Sequence, residues 1–182
     1  MTESNDLLFQ QLADPLTKRR AFSEVMRQHQ QRVYFFIRRM VLDHEDAADI
    51  TQNVFLKAWK GIGGFRGESK MSTWLFRIAH NESMTFLNKK RKLFGVSLDD
   101  LENSLIHQLE SDVYYDGDKI QKELQLAIAT LPEKQKAVFI FRYFENLQYS
   151  EISEATGTSI GALKASYHHA VKKIEEHIKT KA

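Results

Sequence analysis

The chain reads as an all-α protein, and three features of the sequence carry that reading. Only two prolines and eight glycines interrupt 182 residues, so helices meet few breakers. Apolar residues return every three or four positions over long stretches, the period of a helix buried along one face. Apolar side chains make up 42% and charged ones 27%, a globular rather than disordered balance. The length suits one ordinary domain or two small ones.

The first long helix runs from roughly residue 20 to 41. Phe22, Val25, Met26, His29, Val33, Phe36, Ile37 and Met40 share one face, and Arg27, Arg32, Arg38 and Arg39 fall largely elsewhere. Asp43 then offers a cap for a second helix, with Glu45 and Asp46 in a first turn where the helix dipole favours acids. Ala47, Ile50, Val54 and Ala58 form its stripe, and Gly61, Gly63 and Gly64 stop it. A glycine-rich polar loop occupies residues 61–72. Ser72 or Thr73 is placed to cap a third helix that carries Trp74, Leu75, Ile78, Ala79, Phe86 and Leu87 into the basic run Lys89-Lys90-Arg91-Lys92. Three such helices make a compact first domain with one modest core.

Residues 93–118 form a bridge in which Leu98, Leu101, Leu105 and Leu109 recur at helical spacing behind Ser97, a marginal amphipathic helix. From Lys119 the strong pattern resumes with Leu124, Ile128 and Leu131. Pro132 sits at a helix start, where its missing N–H costs nothing, and Val138, Phe139, Phe141, Arg142, Tyr143 and Phe144 continue that helix. A short segment from Ser150 to Thr156, then Gly157, then Ser159 lead into a last helix to about Ile178. Its inward stripe is Ile160, Leu163, Tyr167, Ala170, Val171 and Ile174. The expected units are residues 1–92, 93–118 and 119–182.

Charge follows the same division. Residues 1–92 carry net +6, residues 93–118 net −7 with no lysine or arginine, and residues 119–182 net +3. Two basic blocks around an acidic bridge suit two polyanion-facing modules, although solvated surface charge would also produce the pattern. Cysteine is absent, which excludes disulfides and thiolate metal sites. The segment from Met1 to Asp14 lacks the order of a secretion signal, and no apolar run reaches membrane-spanning length. A cytoplasmic chain without membrane insertion is the expectation.

The sharpest local motif spans Tyr149 to Ile160. A short helix, a glycine in a tight turn and a longer helix make a helix-turn-helix, with a plain helical hairpin as the alternative. In such units the start of the second helix enters the major groove. The outward positions there are Gly161, Lys164, Ala165, His168 and His169. Adjacent histidines point about 100° apart on a helix, so the pair does not chelate one ion, and no metal or cofactor is expected. The segment from Gly61 to Trp74 joins Phe65, Arg66, Lys70 and Trp74 on an adaptable loop. Cations for phosphates and flat rings for bases are what single-stranded nucleic acid requires; Phe65 and Trp74 are equally consistent with core packing. Asp46, Asp49, Gln52 and Asn53 form a polar face opposite the second helix's stripe. No P-loop, nucleophile elbow or metalloprotease motif occurs, in keeping with a binding protein rather than an enzyme.

Two blocks of residues then resemble a known family. Asp46-Ala47-Ala48-Asp49-Ile50-Thr51-Gln52-Asn53-Val54-Phe55-Leu56-Lys57-Ala58-Trp59, followed by Phe65-Arg66-Gly67-Glu68-Ser69 and by Thr73-Trp74-Leu75-Phe76-Arg77-Ile78-Ala79-His80-Asn81, resembles the promoter-melting domain of extracytoplasmic-function sigma factors. Leu131-Pro132-Glu133-Lys134-Gln135, with the helix-turn-helix and the stretch from Gly161 to Ala170, resembles the C-terminal domain of the same family. The likeness spans roughly residues 20–178.

The resemblance implies a transcription initiation factor that binds core RNA polymerase, through the β′ clamp helices and the β flap, and directs promoter recognition and melting. Asp46, Asp49, Ile50, Gln52 and Asn53 would meet the clamp helices, with Asn53 where relatives often carry Glu. Phe65, Arg66, Lys70, Thr73, Trp74, Arg77, Asn81, Lys89 and Lys90 would hold the −10 element, in part as captured single strand. Thr85 and Asn88 stand where many relatives have an acid and an arginine. Ser159, Lys164, Ala165, His168 and His169 would read the −35 element in duplex DNA, with a pH dependence that histidine contacts confer. An anti-sigma factor is a further implied partner, and the acidic bridge would run through the polymerase cleft, or mask the basic surfaces of the free chain. The rival readings are a stand-alone helix-turn-helix regulator, which leaves the loop block unexplained, and a nucleic-acid enzyme, which lacks catalytic residues.

Overall fold

A computed structural model describes residues 3–65, 67, 69–94 and 119–181. Among them lie eight α-helices and no strand: α1 (Glu3–Ala13), α2 (Lys18–Val41), α3 (His44–Gly61), α4 (Met71–Phe94), α5 (Lys119–Ala129), α6 (Glu133–Tyr143), α7 (Tyr149–Thr156) and α8 (Ile160–Lys181). A 3₁₀ turn, Ile62–Gly64, follows α3. The fold is all-α in two helical modules, α1–α4 and α5–α8. The leucine repeat expected in the acidic bridge lies outside the described residues.

Helix α1 is an addition to the expected set. Among its described side chains, the half-buried Leu8 and Phe9 and the buried Leu12 face inward, too few for a periodic stripe to stand out. Helix α2 ends at Leu42, whose φ of 65° is left-handed and whose N–H donates to the Arg38 carbonyl at 2.9 Å. That conformation costs a non-glycine residue roughly 1–2 kcal/mol, and the near-complete burial of the Leu42 side chain, 2% exposed, offsets it. Asp43 caps α3 as its sequence suggests: its carboxylate accepts the Asp46 N–H at 2.8 Å.

Helix α4 begins at Met71, earlier than Ser72 or Thr73 could cap it. The Trp74 N–H already donates to the Lys70 carbonyl at 3.1 Å, so both hydroxyl residues lie within the first turn. The module's core joins Val25, Val33, Phe36, Ile37 and Met40 of α2 to Ala47, Ile50, Val54 and Ala58 of α3 and to Leu75, Phe76 and Ala79 of α4.

In the second module Pro132 is the residue before α6, and Ile128, Leu131, Val138, Ile140 and Phe141 are buried. The Gln148 N–H donates to the Glu151 carboxylate at 2.7 Å, which fixes the start of α7. Gly157 takes a φ of +69° and sends its N–H to the Ser153 carbonyl at 2.9 Å, the left-handed helix end that glycine adopts at little cost. Leu163, Ala170 and Ile174 of α8 are buried and Tyr167 and Val171 half-buried, as the stripe requires. Ile160 departs from it. At the first position of α8 it precedes the turns that pack on α6, and it is 43% exposed.

The two modules share one continuous core. Phe141 of α6 stacks on Phe36 of α2 with ring centroids 4.4 Å apart and planes at 17°, and meets Phe76 of α4 edge-on at 5.7 Å. Arg32 pairs with Glu145 at 2.9 Å, Lys70 with Glu151 at 2.9 Å and Arg91 with Glu133 at 3.7 Å. The Arg39 guanidinium lies 3.8 Å from the Phe144 ring centroid. Helix α7 therefore rests on α4, and α6 on α2.

Candidate nucleic-acid and partner-docking surfaces

Three surfaces gather the side chains with chemistry to offer. The first is α8. Leu163, Ala170 and Ile174 anchor its inner face, which turns Gly161, Lys164, Ala165, His168 and His169 outward, all exposed. Ser159 is exposed at the helix start; the Leu163 N–H donates to its carbonyl at 3.0 Å. The His168 and His169 rings stand edge-to-face with centroids 5.9 Å apart. The Lys164 ammonium sits 5.9 Å from the Tyr149 ring, and Arg142 takes the same ring at 4.8 Å. The result is an exposed, cationic helix face free of acids from Ile160 to Lys173.

The second surface lies on α4 and the loop before it. Arg77, Asn81, Thr85, Asn88 and Lys92 follow one another at three- and four-residue steps, so they share a face, and all are exposed. Thr85, Asn88, Lys89, Lys92 and Leu93 border a shallow depression of about 560 Å³. In the loop, Phe65 packs against Trp74 at 5.0 Å and against Phe9 of α1 at 5.4 Å, and both Phe65 and Trp74 are half-buried. Lys70 is engaged by Glu151. Burial pushes the Glu151 carboxyl up, but the Lys70 pair and the Gln148 N–H prevail and hold it below the usual carboxylate range.

Thr73 departs from its sequence-based assignment to this surface. It is 1% exposed, because its place in the first turn of α4 aims it into the core, and its hydroxyl has no protein partner. Lys90 is half-buried and paired with Asp46 at 2.7 Å, while its neighbour Lys89 is exposed. Arg66 lies outside the described residues.

The third surface is the outer face of α3. Asp49, Gln52 and Asn53 are exposed, and Asp46 is half-buried against Lys90. Ile50 is 5% exposed; it belongs to the same stripe as Ala47 and Val54, so it supports this surface from beneath rather than joining it. Beside Gln52 the structure opens an apolar groove of about 750 Å³ between α2 and α3, walled by Phe22, Met26, Phe55, Leu56 and Trp59. Leu56 is 52% and Trp59 37% exposed, and the Lys18 ammonium lies 4.5 Å over the Trp59 ring. Sequence reasoning missed this groove. The available clue was that Leu56 and Trp59 are large apolar residues off the buried stripe, which implies a covered surface rather than a solvated one.

Between the modules lie two perturbed groups. Burial pushes the Glu145 carboxyl up, against the opposing pull of Arg32 and Arg39. Burial alone depresses His80 to about 4; its ring lies 6.1 Å from Phe141. No group of three His, Cys, Asp or Glu residues suited to a metal ion occurs among the described residues. No helix among them is long and apolar enough to cross a membrane.

Comparison with known proteins finds one family match in each module. Residues 25–93 match the family described as Sigma-70 region 2, and residues 121–174 match Sigma-70, region 4. The chain is 28% identical over 186 residues to the RNA polymerase sigma-H factor of Pseudomonas aeruginosa, covering 97% of this chain and 95% of that protein. It is 29% identical over 168 residues to the extracytoplasmic-function sigma-E factor of Haemophilus influenzae, covering 88% of each. Among solved structures, the sigma factor RpoE of Bartonella quintana, in complex with the anti-sigma factor NepR, shares the fold with a TM-score of 0.71 at 21% identity. That likeness covers 88% of this chain and 98% of RpoE.

Proposed function

This chain belongs to the extracytoplasmic-function sigma factors, which direct core RNA polymerase to promoters and catalyse no reaction themselves, and from that premise we propose which of its surfaces holds each partner. Residues 119–182 form the −35 reader. Lys164, Ala165, His168 and His169 enter the major groove, with Ser159 at the helix start facing the backbone. Residues 1–92 form the −10 unit. Phe65 and Trp74 offer rings to unstacked bases, and Arg77, Asn81, Lys89 and Lys92 follow the phosphates. Lys70 and Lys90 join them only once their present carboxylate partners let go. Residues 93–118, with net charge −7, tie the two units without competing for DNA.

The polymerase clamp docks on Asp49, Gln52 and Asn53 and into the adjoining groove at Leu56 and Trp59; the β flap takes the C-terminal module. The observation that carries this reading is the pair of exposed cationic faces, one on α8 and one on α4, each on its own module. Two such faces grip two stretches of DNA, which a single helix-turn-helix does not need. Because the Bartonella relative is seen with an anti-sigma factor, an inhibitor that covers the α3 surface is the regulatory partner we assign.

Melting follows from differential binding. Each base captured on an aromatic platform contributes about 1–3 kcal/mol to the strand-separated state, so a few captured bases bias opening without nucleotide hydrolysis. Run-off transcription on fragmented genomic DNA tests the whole. Start sites that appear only when the chain is added to core polymerase support it, and a chain that fails to associate with core polymerase refutes it.

A further inference from the structure

Helix α1 precedes the residues that match the sigma family descriptions, which begin at position 25. Yet it touches the most functionally loaded part of the first module. Phe9 is half-buried, with its ring 5.4 Å from Phe65 at an interplanar angle of 58°; Phe65 in turn lies 5.0 Å from Trp74 at 39°. The Phe9 ring also lies against Gly67. That glycine has a φ of +71°, and a Cβ built on it would come within 3.0 Å of the Phe9 ring. One side chain thus touches two positions of the loop, the ring of Phe65 and the backbone at Gly67. Leu12, 3% exposed, anchors the same helix in the core one turn later.

We propose that Phe9 is a positioning residue for promoter melting: by packing against both Phe65 and Gly67 it holds the Phe65 ring in the orientation that receives an unstacked base. This rests on the reading of the loop as a single-strand site. Aromatic capture is sensitive to ring plane, because stacking requires face-to-face overlap with the base. A Phe65 fixed between Phe9 and Trp74 presents one orientation. Without Phe9 it gains rotamers, and its capture of a base then carries an ordering cost.

The experiment uses holoenzyme assembled from core polymerase and the full chain. The probe is fluorescently labelled single-stranded DNA with a randomised core, first enriched on the wild-type holoenzyme. Phe9→Ala lowers affinity for this pool about tenfold, the worth of one stacked base. Phe9→Tyr, which keeps the ring, and Leu7→Ala, an exposed position on the same helix, leave it within about twofold. Phe9→Ala combined with Phe65→Ala is no weaker than Phe65→Ala alone. Association with core polymerase is unchanged by Phe9→Ala. Phe9→Leu, which keeps apolar bulk but not the flat ring, produces the same selective loss, and it decides the matter should Phe9→Ala fold poorly.

Undiminished single-strand affinity in both Phe9→Ala and Phe9→Leu overturns the proposal. So does a parallel loss of polymerase association, which would reduce α1 to a general structural support. If Phe65→Ala also leaves the pool bound, the loop itself is not the single-strand site. If Phe65→Ala loses the pool and Phe9→Ala does not, the positioning role alone fails.

Discussion

Replacing Phe36 and Phe141 by leucine, singly and together, measures how firmly the two modules hold one another. The rings belong to different modules, stack 4.4 Å apart at 17°, and are both 0% exposed. Truncating a core phenylalanine to alanine costs about 3–5 kcal/mol, a large part of the roughly 5–15 kcal/mol that stabilises a typical domain. Leucine keeps most of the volume and lowers the loss to about 1–1.5 kcal/mol. Stacked aromatic pairs contribute about 0.5–1.5 kcal/mol beyond the area they bury. Either single replacement removes that contribution, and the second removes nothing more of it. The cycle is therefore expected to show a coupling of about 1 kcal/mol. Urea unfolding of the full chain reads this as a shift of roughly 0.3–1 M in midpoint for each kcal/mol. A coupling below about 0.3 kcal/mol would mean that the rings do not face each other, and the packing of α6 on α2 would be refuted. Small-angle scattering provides an independent check, since a packed chain of this length has a radius of gyration of about 16 Å.

Three further expectations follow from the same junction and from α8. Arg32→Ala leaves Glu145, whose side chain is 5% exposed, without its 2.9 Å partner, and is expected to cost about 1–3 kcal/mol. Glu145→Gln keeps the shape, removes the buried charge and stays within about 1 kcal/mol; equal losses in urea melts would contradict the burial asymmetry. His80, depressed by burial to about 4 from 6.5, binds its proton in the unfolded chain first. Stability is therefore intact above pH 6.5 and declines by about 3 kcal/mol as pH falls to 4. Glu145, raised by burial, works in the opposite sense: its contribution is present below the ordinary carboxyl value and fades as pH rises through the raised one. His80→Leu should flatten the slope between pH 6.5 and 4, and an unchanged slope would assign the acid sensitivity elsewhere. Lys164→Met is expected to weaken binding of a cognate −35 duplex by about 1–3 kcal/mol and to relax discrimination at one base pair. A uniform loss across all sequences would instead make Lys164 a phosphate contact.

The helix-turn-helix was legible because its determinants are local. Gly157 in the left-handed turn, Ser159 at the helix start and the Leu163–Ala170–Ile174 stripe each act within a few residues of themselves. The Asp43 cap was legible for the same reason. Residues that satisfied a family motif but served the core were harder to place. Ile50 lies in the motif that carries Asp49 and Gln52, yet its period puts it with Ala47 and Val54; Thr73 turned inward once α4 began at Met71 rather than after it. Hidden altogether was the meeting of the modules. Phe36, Phe76 and Phe141 each read as the interior of their own helix bundle, and periodicity tells which face is buried without telling against what. Helix α1 escaped because Leu8, Phe9 and Leu12 alone do not make a stripe, although their contacts with the loop are close.

What holds the closed arrangement together decides which conditions can open it. The ion pairs across the junction among the described residues are one-sided: the cation is wet, Lys70 at 70% and Arg32 at 47% exposed, while Glu151 and Glu145 are sheltered at 15% and 5%; Arg91 and Glu133 lie at 26% and 19%. Pairs with an exposed member contribute about 0–1 kcal/mol each and weaken with salt, and the larger loss expected for Arg32→Ala is mostly the cost of leaving Glu145 buried without its partner rather than the net strength of the pair. Against them stand Phe36, Phe76 and Phe141, none more than 1% exposed, each contributing about 1.5–3 kcal/mol by burial. Apolar burial is the larger contribution. Raising the salt concentration is therefore expected to release DNA, whose grip depends on phosphate contacts, while the modules stay packed and the radius of gyration holds. If salt alone swells the free chain before any loss of helix, the ion pairs dominate and the aromatic cluster is not what holds the junction. The same inequality applies to any surface that would separate the modules. A surface that only neutralises Glu145, Glu151 or Glu133 is too weak, and one that covers the faces of Phe36 and Phe76 bared by separation is strong enough.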